Sequence, residues 1–167
     1  LRAGVDSIEH GSYADKESVR LFKKTGAYLV PTLLAGHTVM KMAKESDFMS
    51  DAIKVKAIDV SSAMAGNFTK AYEAGVNIAY GTDSGVSRHG TNAYEAILMY
   101  EAGMSASDIL KSATVNAADL IDHSDSLGTV EPGKHADIIA TALSPLKDIT
   151  ALLKVDFVMK GGVIVKQ

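Results

Sequence analysis

The sequence contains no cysteine and no tryptophan, only three prolines, and aromatic residues at 6%. Without cysteine there are no disulfides and no thiolate metal sites, so any metal has to be held by histidine and carboxylate. No apolar run approaches the ~18–20 residues that span a bilayer, so no membrane-crossing helix is expected. No basic stretch exceeds a Lys-Lys pair, and the formal charge of −3 is spread along the chain. Nucleic acid is therefore not an expected partner. There is no Gly-x-Gly-x-x-Gly and no P-loop, which argues against a phosphate-binding α/β enzyme despite the glycines around Ser84. What remains is a chain of 167 residues, 47% hydrophobic and 22% charged, close to the globular average and long enough for a real core.

Three short segments share one grammar, a helix end, a glycine and then an apolar strand. They are Ala3–His10, Thr25–Thr32 and Ala74–Gly81. In each, glycine supplies the left-handed residue that stops a helix, and the run that follows suits a buried strand. The opening Leu1-Arg2-Ala3-Gly4 reads as a last helical turn with its cap, which predicts that further chain precedes it. Between the strands lie helical patterns. Asp15–Lys24 has an acidic first turn and two lysines at its end, matching the helix macrodipole. From Asp51 to Ala74, Ile53, Ala57, Val60, Met64, Phe68 and Ala71 recur at three- and four-residue spacings, as on a long amphipathic helix.

After the third strand, two helices are predicted, Asn92–Ala102 and Ser105 to about Ile121. Turn chemistry follows at Leu127–Gly133. The tail holds strand-like pieces at Asp137–Thr141, Val155–Lys160 and Val163–Val165, the last two reading as a hairpin. The order predicts an α/β fold with a parallel sheet covered by helices, over residues 1–126, and a small β module over 127–167. A closed (β/α)₈ barrel needs ~250 residues, so the chain cannot hold a whole one, and an open sheet satisfies the pattern equally.

In parallel α/β folds the reactive groups sit at the C-terminal ends of strands and in the loops that follow. That rule selects Glu9-His10-Gly11, Pro31-Thr32 and Gly81-Thr82-Asp83-Ser84-Gly85. His10 and Asp83, at the mouths of two different strands, are suitable ligands for one divalent ion. Arg88 and His89 lie in the loop after Asp83, and His37 is expected in a loop after the second strand. Against this stands the bland reading. A strand-end histidine is commonly a hydrogen-bonded structural residue, an aspartate before Ser-Gly often caps a turn, and loop histidines are often merely solvated. His123 and His135 read as structural or solvated, and Tyr28 and Tyr80 as strand core.

In order and spacing, these segments resemble the amidohydrolase superfamily, in particular the branch of imidazolonepropionases and prolidase-like dipeptidases. Ala3–Gly11 is similar to the sixth strand of its barrel, Tyr28–Leu33 to the seventh and Ile78–Gly85 to the eighth. His89-Gly90, Ala113–Ala118 and Leu127–Ile139 also follow the pattern, the last resembling the return of the chain into the family's flanking β-sandwich. The resemblance implies the C-terminal part of a (β/α)₈ TIM-like barrel followed by strands of that sandwich. It implies a divalent cofactor, zinc, as one or two ions, with His10 and Asp83 as ligands and Asp83 also shuttling the proton. His89 and Arg88 would face a small-molecule amide or dipeptide substrate, with His37 as a further candidate from its loop position, and a homo-oligomer is implied as well.

The implied reaction is metal-assisted hydrolysis of an amide-type C–N bond, prolidase-like, with cyclic-amide hydrolysis of imidazolonepropionase type as the alternative. The family's His-x-His on strand one, its modified lysine on strand four and its strand-five histidine have no counterpart here. A catalytic zinc normally keeps three protein ligands. The chain produced alone is therefore expected to be inactive, to bind metal weakly and to fold poorly, because an opened barrel exposes strand edges and apolar helix faces. A non-catalytic α/β domain is the reading from another class, and unchanged hydrolysis after Asp83→Ala would favour it.

Overall fold

A computed structural model of the chain describes residues 1–45 and 49–167. Residues 1–4 form a turn closed by a hydrogen bond from Gly4 N–H to the Leu1 carbonyl, 3.2 Å. Three strands then build a parallel sheet in sequence order, β1 Ser7–Glu9, β2 Tyr28–Val30 and β3 Asn77–Ile78. Ile8 is level with Leu29, and Leu29 with Ile78. Between β1 and β2 runs α1, Lys16–Thr25. The Asp15 side chain caps it by accepting from Ser18 N–H, and Gly26 stops it at φ +77 while its N–H returns to the Phe22 carbonyl. This is the predicted helix, with its predicted signals at both ends.

Two helices, α2 (Leu33–Glu45) and α3 (Asp51–Glu73), connect β2 to β3 and pack against each other. The expected stripe of α3 is buried at Met64, Phe68 and Ala71, whereas Ile53, nearer its start, is 56% exposed. The core joins Phe22 of α1, Leu29 and Ile78 of the sheet, and Met64 and Phe68 of α3. Met99 and Ile109 from the helices after β3 complete it.

Those later helices differ from expectation in one respect. The first is α4, Tyr94–Glu101, as predicted. The single helix expected from Ser105 to about Ile121 is two, α5 (Ala106–Ala113) and α6 (Val115–Leu120), broken at Thr114 with φ −125° and ψ −88°. The break serves the sheet. It frees the Ser112 carbonyl to accept from Tyr80 N–H at 3.0 Å, and the Asn116 side chain donates to the Ile78 carbonyl at 2.8 Å. Both groups sit on the edge of β3 that faces away from β2. Buried backbone groups need partners, and here a helix break supplies them.

The tail forms an antiparallel three-stranded sheet, β4 (Ile138–Ala140), β5 (Phe157–Lys160) and β6 (Val163–Lys166), with β5 and β6 as the predicted hairpin. A short 3-10 helix, Ile149–Leu153, packs against α4 and places Ile149 in the core shared with the parallel sheet. Among the described residues no helix is long and apolar enough to cross a membrane.

Candidate active site

A residue with left-handed backbone follows each of the three parallel strands: His10 (φ +67) directly after β1, Thr32 (φ +49) two residues after β2, and Asp83 (φ +47) in the loop after β3. For residues other than glycine this conformation costs roughly 1–2 kcal/mol, and it is rare for a β-branched threonine. Such strain persists where surrounding structure enforces it, and it clusters at functional sites. Here the three turns bring the side chains together. His10 Nδ1 lies 2.5 Å from the Thr32 hydroxyl, and His10 Nε2 lies 3.8 Å from Asp83 Oδ2.

The hydroxyl determines the histidine tautomer. Thr32 has one hydrogen to donate, and it goes to the Pro31 carbonyl at 2.8 Å. The oxygen then accepts from His10 Nδ1–H, so in the neutral imidazole Nε2 bears the lone pair. Two acceptors, Nε2 and a carboxylate oxygen, thus face each other across 3.8 Å. A proton on Nε2 pairs the two groups as an ion pair, and a divalent cation between them would take both as ligands. Two ligands about 2.0–2.1 Å from one tetrahedral ion sit roughly 3.3 Å apart, close to this span. The donor set therefore fits a divalent metal. Among the described residues, however, no group of three or more His, Asp or Glu converges.

The loop after β3 is held from beneath by a cluster of polar side chains. Thr82 and Ser84 hydroxyls lie 2.9 Å apart, Ser87 bonds Ser84, and the Asn92 amide donates to both Thr82 and Ser84. Gly85 N–H closes a tight turn on the Asp83 carbonyl at 2.7 Å. Asp83 is thereby fixed by its neighbours while its own carboxylate stays exposed.

Glu95 sets the second strand's end. It is fully buried on α4, and its carboxylate accepts from Leu33 N–H (2.8 Å) and Leu34 N–H (2.6 Å). These are orphan donors of the first turn of α2, a helix with no acidic residue of its own there. Burial pushes the Glu95 carboxyl up to about 7, against the two N–H groups that pull it down. Burial, and then the Glu95 charge, also raise the Tyr80 hydroxyl, which donates to the Asn92 carbonyl and accepts from Ala96 N–H. Because Glu95 starts α2 directly after Thr32, no loop follows β2. His37 consequently stands on a helix rather than in the expected loop.

An apolar cavity of about 420 Å³ opens beside the pair, lined by both His10 and Asp83 and by residues of α2 and α3, with Lys56 among them. His37 lies elsewhere, against the Tyr94 ring at 5.7 Å and in a separate cavity with Met40 and Leu98. Arg88 and His89 are exposed on the loop after Asp83 and do not line the cavity. His123 and His135 are exposed, in a turn after α6 and near the start of β4. Tyr28 reaches from β2 to Asp119, 2.7 Å away; burial, then that carboxylate, push its hydroxyl up to about 12. Sequence reasoning assigned no role to Thr32 or Glu95. Glu95 left one trace, a lone charge on the apolar face of α4 beside Ala96 and four residues before Met99.

The chain is similar to a solved Xaa-Pro dipeptidase described with methionine bound in its active site: 44% identical, TM-score 0.95, over 99% of this chain and 41% of that one. It is 33% identical to the ochratoxinase of Aspergillus niger over 99% of this chain and 35% of that protein. A shorter match, 38% identical over 44% of the chain and 18% of the relative, is to the imidazolonepropionase of Thermoanaerobacter pseudethanolicus (strain ATCC 33223 / 39E). The chain thus spans about two fifths or less of the length of these relatives. The profile of the amidohydrolase family matches residues 1–165, and the chain belongs to that family.

Proposed function

We propose that this chain carries the last three barrel strands of a metal-dependent hydrolase that cleaves the amide-type C–N bond of a dipeptide. The observation that supports it is the facing pair of His10 Nε2 and Asp83 Oδ2, beyond the ends of β1 and β3 with β2 between them. They are two of the ligands, and the remainder would come from strands outside this chain. A divalent ion held there, zinc on this donor set, supplies Lewis acidity that makes hydroxide available near neutral pH.

The chain's own groups do the rest. Thr32 orients His10 and keeps Nε2 free for the ion. The Asp83 carboxylate takes the proton of the attacking water as the C–O bond forms, then delivers it to the leaving nitrogen as the C–N bond breaks. Arg88 and His89, on the exposed loop after β3, meet the outer groups of the substrate. The dipeptidase reading is favoured over a cyclic-amide hydrolase because the likeness to the Xaa-Pro dipeptidase runs along 99% of the chain, and that to the imidazolonepropionase along 44%.

The test is Asp83→Asn in a protein with the complete barrel, zinc-loaded, offered Xaa-Pro dipeptides and imidazolone propionate. Loss of the proton carrier should lower kcat by about a hundred- to ten-thousand-fold. Unchanged dipeptide hydrolysis would sink the proposal, and turnover of imidazolone propionate alone would select the cyclic-amide reading.

A further inference from the structure

Thr32 holds the place from which a threonine ordinarily caps a helix. It stands immediately before Leu33, the first residue of α2, where a hydroxyl usually accepts from the N–H two or three residues on. Here the hydroxyl is engaged elsewhere, donating to the Pro31 carbonyl and accepting from His10 Nδ1. The backbone agrees, with φ at +49 where a capping residue is extended. The N–H groups of Leu33 and Leu34 go instead to the Glu95 carboxylate, brought in from α4 and fully buried. Burying a charge for this task lowers stability, and a neutral hydroxyl already stood one residue away.

We propose that Glu95 is a positioning residue for His10: by taking over the cap of α2, it releases the Thr32 hydroxyl to hold the histidine ring. The inference rests on the hydrolase reading, in which His10 offers Nε2 to the metal. Two arrangements of Thr32 compete. In the one observed, Glu95 holds Leu34 N–H, Thr32 keeps its left-handed backbone, and His10 carries its hydrogen on Nδ1. In the other, the Thr32 hydroxyl turns to Leu34 N–H, its backbone relaxes to the extended region, and Nδ1 loses its acceptor. The ring hydrogen is then free to move to Nε2, and a nitrogen that carries one cannot ligate. Glu95 favours the first arrangement because each of its oxygens takes one N–H, and because a charged acceptor outcompetes a hydroxyl. The Tyr80 hydroxyl, which also feels the Glu95 charge, is already engaged with the Asn92 carbonyl and Ala96 N–H.

Glu95→Gln keeps the shape and one acceptor, and turns an NH₂ donor toward the second N–H. In the metal-free protein with the complete barrel, nitrogen NMR of the His10 ring reads the tautomer at about pH 8, where imidazole is ordinarily neutral. Wild type should show the hydrogen on Nδ1, and Glu95→Gln a mixture containing the Nε2–H form. Zinc affinity should fall about ten-fold in Glu95→Gln. It should not fall further when the change is added to Thr32→Val, which has no hydroxyl to recapture. A cap that serves only the fold would leave the tautomer alone. That result, or additive losses of affinity in the double variant, would overturn the proposal.

Should Glu95→Gln not fold, carbon NMR of the Glu95 carboxyl decides, in wild type against Thr32→Val. Zinc should displace its titration downward further in wild type, since only there does metal binding draw on the cap, and equal displacements would overturn the proposal. If the tautomer answers to Glu95 and zinc does not bind, the positioning role stands and the metal reading fails. If zinc binds and neither tautomer nor affinity answers to Glu95, the metal reading stands and the positioning role fails.

Discussion

With its one hydrogen bonded to the Pro31 carbonyl, the Thr32 hydroxyl accepts from His10 Nδ1 and leaves Nε2 to face Asp83. That makes Thr32 a positioning residue for the proposed metal site, acting through His10. Thr32→Val keeps the β-branched shape and the left-handed backbone but removes the acceptor. Zinc affinity of the complete barrel should fall about ten- to a hundred-fold in a competition titration with a chelator. An unchanged affinity would show that His10 needs no partner at Nδ1. Of this site, His10 and Asp83 were legible as polar residues at strand ends, because strand ends are marked by local apolar runs and glycines. The role of Thr32 was not, since it depends on a register that places Ile8 beside Leu29 and His10 N–H on the Val30 carbonyl.

At the scale of elements, the Glu95 carboxylate of α4 starts α2, across 61 residues of sequence from Leu34. Its ordinary value of 4.5 is raised to about 7 by burial. Between those values the folded chain holds a proton that the unfolded chain has released, so stability falls as pH rises from 4.5 to about 7 and is level above. The whole change is on the order of 3 kcal/mol. Asp15, Asp108, Asp137 and Asp148 are lowered and act in the opposite sense, below about pH 4, outside this window. Glu95→Gln is neutral throughout. Chemical-denaturation curves should show its stability, relative to wild type, rising across pH 4.5–7, and a constant difference would contradict the shift. The break at Thr114 teaches a similar lesson. Residues 105–121 read as one helix locally, and the unpaired edge of β3 decides otherwise by recruiting the Ser112 carbonyl and the Asn116 amide.

For the whole molecule, surface area is the informative quantity. A compact monomer of 17.6 kDa exposes about 7,900 Å², whereas this chain exposes 10,009 Å². Part of the excess is apolar and organised. Ile139, Val163, Ile164 and Val165 stand exposed on the tail sheet, and a cavity of about 760 Å³ runs beside β1 between Ile8, Leu21 and Phe22. Large exposed apolar surface marks sites of further contact, which agrees with the proposal that other strands complete the barrel. It also bears on the metal. With only the two proposed ligands in the chain, zinc titrated into it alone should bind weakly and without fixed stoichiometry, and the completed barrel should hold it tightly. Tight one-to-one binding by the chain alone would mean that the missing ligands are not needed.

The sequence by itself determined the three βα units, the caps of α1, the hairpin of β5 and β6, and two strand-end residues of the site. Each of these is written in neighbouring residues, as hydrophobic period, glycine placement or charge at a helix end. Only the tertiary structure decided that His10, Thr32 and Asp83 meet, that Glu95 begins α2, and that His37 turns toward Tyr94. Those outcomes are contacts between residues far apart in the chain. Strand register and helix packing set them, and no local pattern encodes either.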